Sequence, residues 1–463
     1  MNILTSLYEM ARNLTMNGLG IERDLNKLIL DNDISTAKTL FQDRDIEVVQ
    51  AISEYDPNTH EVMKRPNKLR KKRDPYIVQK LPRSWQKYIN EIALFFLLAK
   101  PIRWNCNNLD DSNADAFEAF KNFLNDAHFD TNMRMAKRLA GSETESAKLY
   151  HIYRDDNEQP AVKIVVLAKS EGYTLRPLFD QYKNMKAFGY GYYLNESGST
   201  VEHFDIQTPQ MIYRCKKMKL GWEVTPVVNP TGKINVIYYK QKKEWDGAEI
   251  RISRDEMVDS KTADTNEYFA DPIAAATADV INGMVDPEAV GKLIKLQGKD
   301  SEFKYIEPPT ASEMKDSEKK VLKESILNDT FTPDFSYESM KGTGTLSGEA
   351  LKRAMILGFI KRDNSKEIYD VMVEREKSLV LSIMMNVTHI KMKDQLSKLN
   401  IEHEFAEPFD EDADKRWTAI GKAFVDGIMS LETAVNILGA AETSQEIDRI
   451  NAAKIADLTN PTL

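Results

Sequence analysis

The sequence is poor in the residue types that make most enzymes and metal proteins recognisable. Its two cysteines, Cys106 and Cys215, are too few for a disulfide framework or a cysteine zinc site. Its six histidines are scattered and form no H-E-x-x-H pattern. The chain contains neither the G-x-x-x-x-G-K-[ST] loop of ATP-driven motors nor the G-x-S-x-G turn of serine hydrolases. We therefore expect a protein that is not an enzyme, with no catalytic residue, no metal and no cofactor.

Three segments resemble parts of known sites, and in each the simpler interpretation is favoured. Residues 229–233 (NPTGK) match half of a phosphate loop but lie between two predicted strands, so we interpret them as a hairpin turn. Residues 342–348 (GTGTLSG) have the glycines to cradle a phosphate, but no lysine directly follows the last glycine and no parallel strand precedes them. His403, with Glu402 beside it, needs further ligands from elsewhere to bind a metal, and an exposed charged turn is the commoner case.

Long hydrophobic runs and a positive charge balance are also missing. The most apolar window, 92–102, is too short for a membrane span and is interrupted by Lys100. The first residues lack the features of a secretion signal, so we expect folding in a reducing cytoplasm and no membrane contact. The net charge of -9 argues against tight binding of DNA phosphates. It remains compatible with a protein that surrounds DNA and lets it slide.

One basic run, Lys64–Arg73, stands out against this acidic background. It has two interpretations: a nucleic-acid patch or localisation signal, and a solvated loop or subunit contact. Pro66 and the absence of interleaved aromatic residues favour the second.

The first half of the chain predicts an α+β unit. Residues 31–35 (DNDIS) are typical of a turn and a helix cap. Amphipathic helices are predicted at 81–102 and 114–128, the second with Phe117, Phe120 and Phe123 on a core-facing stripe. From residue 147 to about 253 the apolar period changes to two, and turn residues separate seven short segments. We expect an antiparallel meander of strands carried on helices.

The second half predicts helices again. Asp271 and Pro272 are typical of a helix start, and residues 310–313 (TASE) form a capping box for a helix that reaches about Asn328. Between them, residues 286–309 are weakly patterned. A Gly-rich loop then leads into a helix predicted over 349–394, about 70 Å long, in which Gly358 is the only glycine. Caps at Ser430 and at 443–446 predict two small helices near the end of the chain.

Four segments in this order resemble the portal proteins of tailed bacteriophages, of the long-tailed-phage type. They are Phe96–Trp104 (FLLAKPIRW), Arg138–Pro160, Thr332–Ile356 with its SGEALK helix start, and Asp426–Ile450. The resemblance covers the chain from about residue 90 to the end. The region before Leu81 matches nothing in the family, and residues 267–309 are only weakly similar.

This resemblance implies a ring of about twelve subunits at one capsid vertex of the virion, assembled in the host cytoplasm. DNA enters through the ring, driven by the terminase large subunit, and leaves through it on ejection. Other implied partners are the head-tail adaptor and the major capsid and scaffold proteins. The implied parts are an N-terminal wing (1–266), stem helices (267–285 and 310–328), a clip (286–309), a tunnel loop (329–346), a long kinked helix (347–395), a wing return (396–427) and a crown (428–463).

The tunnel loop implied by the resemblance has a composition suited to passing DNA. Gly342 and Gly344 give backbone freedom, and Lys341 is the only cation of the loop. Neutral hydrogen bonding to phosphates is offered by Thr343, Thr345 and Ser347. In the following helix, Gly358 is the predicted kink.

Two other classes of function remain open on the sequence. One is a different phage structural protein, such as an adaptor or baseplate component, which would share the long helix but not the loop-then-SGEALK order. The other is an enzyme with an unrecognised site. A ring with a DNA-sized bore separates the portal interpretation from both.

Overall fold

The computed structural model confirms the α+β fold class. It describes residues 18–68, 76–196, 198–270, 274–276, 303–305, 312–337, 341, 353, 355–409, 413–437, 447 and 449–452. The chain divides into two compact units. The first comprises Met1–Pro333 and Leu357–Ala406, and the second comprises Asp334–Ile356 and Glu407–Leu463.

Three helices begin the described part of the first unit: α1 (Gly18–Leu30), α2 (Ile34–Lys38) and α3 (Asp45–Tyr55). The predicted cap at 31–35 is confirmed, because the Asp33 side chain accepts a hydrogen bond of 3.1 Å from the Thr36 backbone N–H. Apolar residues of α1 and α2 pack against one face of a β-sheet.

The next helices supply much of the largest core. They are α4 (Trp85–Leu98), α5 (Ala114–Asp126) and α6 (Phe129–Glu143), with a short strand β1 (Arg103–Cys106) after α4. The two predicted helices are confirmed, and so is the core stripe, since Phe117, Phe120 and Phe123 are all buried. Helix α6 was not predicted. Its buried face includes Lys137 and Gly141, which weaken the apolar pattern.

Eight strands follow: β2 (Glu145–Arg154), β3 (Pro160–Leu167), β4 (Thr174–Phe179), β5 (Met185–Glu196), β6 (Ser199–Gln207), β7 (Met211–Met218), β8 (Gly221–Val228) and β9 (Val236–Lys240). They form two antiparallel sheets, β3-β2-β9 and β4-β5-β6-β7-β8. The predicted single meander is wrong at this point, because β9 returns to pair with β2. Strand β4 was missed because Pro177 interrupts its pattern, and it lies at a sheet edge where proline is tolerated.

An arm of two helices extends from these sheets. Helix α7 (Glu249–Ala270) is followed by β10 (Ala274–Ala276), which pairs antiparallel with β11 (Phe303–Tyr305), and α8 (Ser312–Asp329) returns. We call these four elements the arm. Helix α8 agrees with the helix predicted to Asn328, although Thr310 and Ala311 of its capping box lie outside the described residues.

The helix predicted to begin at Asp271 and Pro272 would include residues 274–276, and for these residues the prediction is wrong. Helix α7 ends at Ala270, and Ala274–Ala276 is a strand. Proline disfavours helical geometry in the residue before it, so an Asp-Pro pair can follow the end of a helix as well as begin one. In this chain it comes directly after the last residue of α7. The predicted strand region, extended to about residue 253, also ends earlier, because α7 begins at Glu249.

The long helix is shorter than predicted at its C-terminal end. Helix α9 (Ile356–Ile383) passes into a π turn (Met384–Thr388) and a 3-10 turn (Ile390–Met392) before α10 (Lys393–Lys398). The β-branched residues Val387 and Thr388 have low helix propensity and lie at this break. Strand β12 (Ile401–Glu404) then pairs antiparallel with β1.

The described part of the second unit contains helices α11 (Ala413–Val425) and α12 (Leu431–Ile437). The predicted cap is confirmed, since Ser430 Oγ accepts a 3.1 Å hydrogen bond from the Thr433 N–H. The capping box at 443–446 lies outside the described residues. Across the described ranges, no helix combines the length and the apolar character needed to cross a bilayer.

Candidate functional site

Most of the predicted loop residues lie outside the part of the chain that the structure describes: Gly342, Thr343, Gly344, Thr345 and Ser347. Lys341 is described, and its side chain is exposed. The roles of these residues stay predictions. The structure instead shows how the start of the loop and the helix after it are held, and these contacts form the candidate site.

Helix α8 ends in a turn that fixes the start of the loop. Phe331 adopts a left-handed conformation with φ 48°, and the Thr332 N–H donates to the Leu327 carbonyl at 2.8 Å. The hydroxyl groups of Thr330 and Thr332 lie 2.9 Å apart, and both residues are buried. These hydrogen bonds pair carbonyl groups of the last helical turn that would otherwise lack donors, and they set the direction in which the chain leaves the helix.

Lys361 of α9 joins this turn to Glu244, in the segment between β9 and α7. Its Nζ donates to the Thr330 carbonyl at 3.0 Å and to the Glu244 carbonyl at 3.2 Å. It also lies 3.2 Å from Glu244 Oε2, so its three ammonium hydrogens all have acceptors. Lys361 is only 6% exposed, and burial lowers its pKa although the Glu244 charge acts in the opposite direction. One buried cation of α9 therefore contacts two other stretches of chain, at Thr330 and at Glu244.

Glu244 is the centre of this cluster. Its Oε1 lies 2.5 Å from Lys137 Nζ and accepts a 2.8 Å hydrogen bond from Gln241. The Tyr369 hydroxyl of α9 donates to Gln241 Oε1 at 2.8 Å. Burial alone would raise the pKa of Glu244, but the charges of Lys137 and Lys361 outweigh it and lower the pKa to about 2. We call Lys137, Gln241, Glu244, Lys361 and Tyr369 the root network.

A second buried ion pair fixes α9 about four turns further on. Lys148 Nζ of β2 lies 2.6 Å from Glu376 Oε1, and both side chains are fully buried. The hydroxyl groups of Tyr150 and Tyr239 donate to Glu376 at 2.5 and 3.1 Å. Buried ion pairs at Lys361 and Glu376 thus hold helix α9 against the rest of the first unit at two separate points.

Gly358, the predicted kink residue, lies in the first turn of the described α9. A Cβ placed on it would lie 2.2 Å from Phe96 Cζ of α4. The Phe96 ring also packs edge-on against Phe359 at 5.5 Å. Close packing of two helices therefore requires glycine here, while the kink stays a prediction.

An extended segment, residues 76–84, lies along one face of α7. Alternate backbone N–H groups of this segment donate to side chains four residues apart on the helix: Gln79 to Asp264 at 2.6 Å, Leu81 to Ser260 at 2.9 Å and Arg83 to Glu256 at 2.9 Å. The spacings match, since two extended residues span about 6.6 Å and four helical residues about 6.0 Å. We call residues 76–84 the strap.

Two side chains before the strap contact the same face of α7. His60 Nδ1 lies 2.6 Å from Glu256 Oε1, and its Nε2 lies 2.8 Å from the Glu54 carbonyl. Burial lowers the pKa of His60, but the hydrogen bond and charge of Glu256, the Glu54 carbonyl and the charge of Asp56 together outweigh it, and the net pKa is raised. Arg65, from the basic run, pairs with Asp264 at 2.6 Å. This described part of the run is an intramolecular contact, and residues 69–73 lie outside the described ranges.

The remaining sequence candidates have ordinary structural roles. The two ring nitrogens of His403 contact Glu374 and Asp370 at 2.9 and 3.1 Å. Both nitrogens are therefore occupied by carboxylates, and the two acids lie on opposite sides of the ring and not around one metal position. The described ranges contain no cluster of three or more His, Cys, Asp or Glu side chains suited to a metal ion. Both cysteines are free, and burial raises the pKa of the Cys215 thiol to about 12.

The sequence did not predict the root network. Lys361 and Glu244 are 117 residues apart in the chain. The available signal was a charged residue beside apolar ones, as in Glu244 next to Trp245, and this pattern is too common to identify a pair.

Comparisons with known proteins address identity. The sequence pattern of the family "Phage portal protein, SPP1 Gp6-like" matches residues 41–458. No curated protein matches the chain. Solved structures similar to it include a chain from the neck of a native GTA particle computed with C12 symmetry, with a TM-score of 0.42 and 11% identity over 77% of this chain and 88% of that chain. A chain from the virion of a native gene transfer agent particle gives a TM-score of 0.39 and 11% identity, with coverage of 76% and 88%.

The family match spans most of the sequence, including the strands, the arm, α9 and the C-terminal helices. It agrees with the resemblance carried by the loop and the SGEALK helix start. The chain belongs to the phage portal protein family of the SPP1 Gp6-like type.

Proposed function

We propose that the chain forms a ring of about twelve copies at one vertex of a phage capsid, through which DNA is packaged and later ejected. Family membership over residues 41–458 supports a portal or connector role. The observation that carries the channel role is the root network, because Lys361 of the long helix contacts both the start of the loop and Glu244, in the segment that leads into the arm.

The proposed parts follow the resemblance, with one change. Helix α7 takes the place of the predicted 267–285 helix as the first stem helix, and α8 is the second. The clip (286–309) lies between them in the chain and contains β11. Residues 329–346 are the tunnel loop, α9 is the long helix, residues 396–427 are the wing return, and residues 428–463 are the crown.

In this arrangement the root network transmits force. Lys361 donates to the carbonyl of Thr330, the second residue of the loop, and pairs with Glu244, five residues before the arm. A displacement of the loop by passing DNA is therefore felt by α9 and the arm together. Two further buried contacts, at Gly358 and Glu376, resist sliding of α9.

Charge in the ring favours sliding over binding. Each copy carries a net charge of -9, so twelve copies carry about -108. Lys341 is the only cation of the loop, and one weak cation per copy gives evenly spaced contacts with the DNA backbone.

The motor and the tail are separate proteins in this proposal. The chain has no phosphate loop, so the terminase large subunit supplies ATP hydrolysis. The clip contacts terminase first and the head-tail adaptor later, and the rest of the ring contacts the major capsid and scaffold proteins. The ring assembles in the host cytoplasm and stays in the virion.

DNA packaging into heads reconstituted with variant rings tests this function. We expect Lys341→Ala to package DNA at the wild-type rate and Gly342→Pro with Gly344→Pro to abolish packaging, because the loop needs mobility more than charge. Lys320→Ala, an exposed change on α8, is the control. The reverse result contradicts sliding, and heads that package DNA without the chain contradict the portal role.

A further inference from the structure

A small cleft opens between the 229–233 turn and α9. It has a volume of about 220 Å³, and its walls include Met185, Lys233, Ile234, Ile237, Arg375 and Leu379. Two of these side chains are cations, the other four are apolar, and no acidic residue lines the cleft. We call it the Arg375 cleft.

Arg375 is a half-buried arginine without a counterion. Within the described ranges its guanidinium has neither a hydrogen-bond acceptor nor an acidic partner. Burial lowers the pKa of Arg375, and no neighbouring charge offsets that effect. Removing a charge from water is costly unless an anion compensates, so a cation in this position indicates a partner outside the described chain.

Lys233 is the second cation of the cleft. Its Nζ donates to the Ser378 carbonyl of α9 at 3.0 Å and to the Ser378 hydroxyl. Gly232, with φ 67°, provides the left-handed residue of the turn that presents Lys233. Burial lowers the pKa of Lys233, again with no opposing carboxylate.

The contrast with other lysines of the same unit is sharp. Lys137, Lys148 and Lys361 each lie within 3.2 Å of a carboxylate oxygen. These three buried lysines are therefore each paired with an acid, whereas the exposed Lys233 and the half-buried Arg375 lie together without one in the described ranges.

We propose that the Arg375 cleft binds a carboxylate side chain from a neighbouring copy of this chain in the ring. This inference rests on the proposed function, which brings copies side by side. The chain has 72 acidic and 63 basic residues, so acids outnumber cations on a neighbouring copy. A planar guanidinium accommodates a carboxylate by two parallel hydrogen bonds.

The apolar walls favour a protein side chain over DNA. Ile234, Ile237 and Leu379 suit the aliphatic stem of a glutamate, whereas a DNA phosphate is flanked by sugars and further charge. The cleft is large enough for one side chain and too small for a nucleotide strand.

Carbodiimide coupling in mixed-isotope rings tests the proposal. Rings are assembled from equal amounts of ¹⁴N and ¹⁵N protein, treated with carbodiimide and digested for mass spectrometry. The reagent joins a carboxylate to the Lys233 amine as an amide, with loss of one water, only where the two groups touch. We expect Lys233 peptides linked to an acidic peptide, with mixed labels in about half of the products.

Assembly of variants is the second measurement. Arg375→Gln is expected to raise the protein concentration for half-assembly at least tenfold, because it removes a charge-assisted hydrogen bond from every contact between copies. Lys391→Gln removes an equal charge from an exposed position beyond α9 and is expected to leave assembly unchanged.

The outcomes separate this inference from the proposed function. Rings that form without a mixed-label link at Lys233, or that assemble equally well with Arg375→Gln, overturn the inference and leave the portal role standing. Protection of Lys233 by inorganic phosphate in unassembled protein, with no mixed-label link in rings, identifies a free-anion site and overturns it as well. Wild-type protein that never forms rings contradicts both.

Discussion

The two helices of the arm run side by side but are held in different ways. Helix α7 buries a polar face: Asp255, Glu256, Ser260 and Asp264 are all less than 8% exposed and are bonded to the strap and its neighbours. Helix α8 instead exposes apolar side chains, with Met314 77% and Val321 57% exposed. Its contacts with α7 include ion pairs at the surface, such as Arg254 with Glu318 at 2.7 Å.

This difference shows where the arm can move. Surface ion pairs contribute little, whereas buried hydrogen bonds to charged groups are expensive to break. Helix α7 is therefore fixed to the rest of the first unit from Asp255 to Asp264. Helix α8 is fixed at its C-terminal end, where Ile326 is buried and Thr330 contacts Lys361. We expect motion of the arm to occur in α8, with the root network as its pivot.

The largest expected effect is at that pivot. Lys361→Met removes three contacts and leaves Glu244 and the Thr330 carbonyl without this donor, so we expect the free energy of unfolding to fall by about 3 kcal/mol. Urea denaturation followed by circular dichroism measures it. Lys366→Met, on the same helix and without an ion pair in the described structure, is the control. Equal stability of the two variants would show that the pivot does not exist.

A matched pair of amide substitutions compares the two helices directly. Asp264→Asn weakens the acceptor for Gln79 and the charge that holds Arg65, so we expect a loss of about 2 kcal/mol in unfolding free energy. Glu318→Gln on α8 affects only a surface pair, and we expect a change within about 0.5 kcal/mol. Similar losses for both variants in the same denaturation assay would remove the distinction between the helices.

Two glycine substitutions test whether packing or backbone freedom is needed in helices. Gly358→Ala brings a methyl group against Phe96, and we expect a loss of about 1–2 kcal/mol despite the better helix propensity of alanine. Gly421→Ala in α11 meets no atom of the described residues within 4 Å, so a gain of about 0.5–1 kcal/mol is expected from propensity alone. Thermal melts measure both. Phe96→Leu combined with Gly358→Ala should recover part of the loss, and no recovery would argue against the clash.

The smallest effect concerns pH and the face of α7. The folded-state pKa of His60 is raised above 6.5 because the hydrogen bond and charge of Glu256, with the Glu54 carbonyl and Asp56, together outweigh burial. Its stabilisation is therefore complete below pH 6.5 and is lost as the pH rises through the folded-state pKa. We expect the unfolding free energy between pH 6 and 9 to fall more steeply in the wild type than in His60→Gln. Parallel curves would contradict the assignment.

Elements with a regular apolar face could be predicted from the sequence, and an element with a buried polar face could not. Regular apolar spacing identified α4, α5 and most strands, and cap residues identified α2, α8 and α12. Helix α7 has a buried face made of Asp255, Glu256, Ser260 and Asp264, so it carries no apolar period and was missed. Its end was mistaken for the start of another helix, because Asp271 and Pro272 fit both situations.

The contacts of the candidate site could not be predicted for a different reason. A buried pair such as Lys148 and Glu376 joins a strand to a helix far along the chain, and nothing local marks either residue. The Gly-rich loop and its SGEALK helix start were recognised because they are contiguous. The family could thus be identified from local segments, whereas the root network depends on tertiary packing.

Native mass spectrometry of the purified chain, with electron microscopy of the same fraction, tests the central claim most directly. The account predicts a ring with an open central channel and a mass of about 635 kDa, twelve times the 52.9 kDa of one chain. A compact oligomer of a few copies without a channel would contradict it.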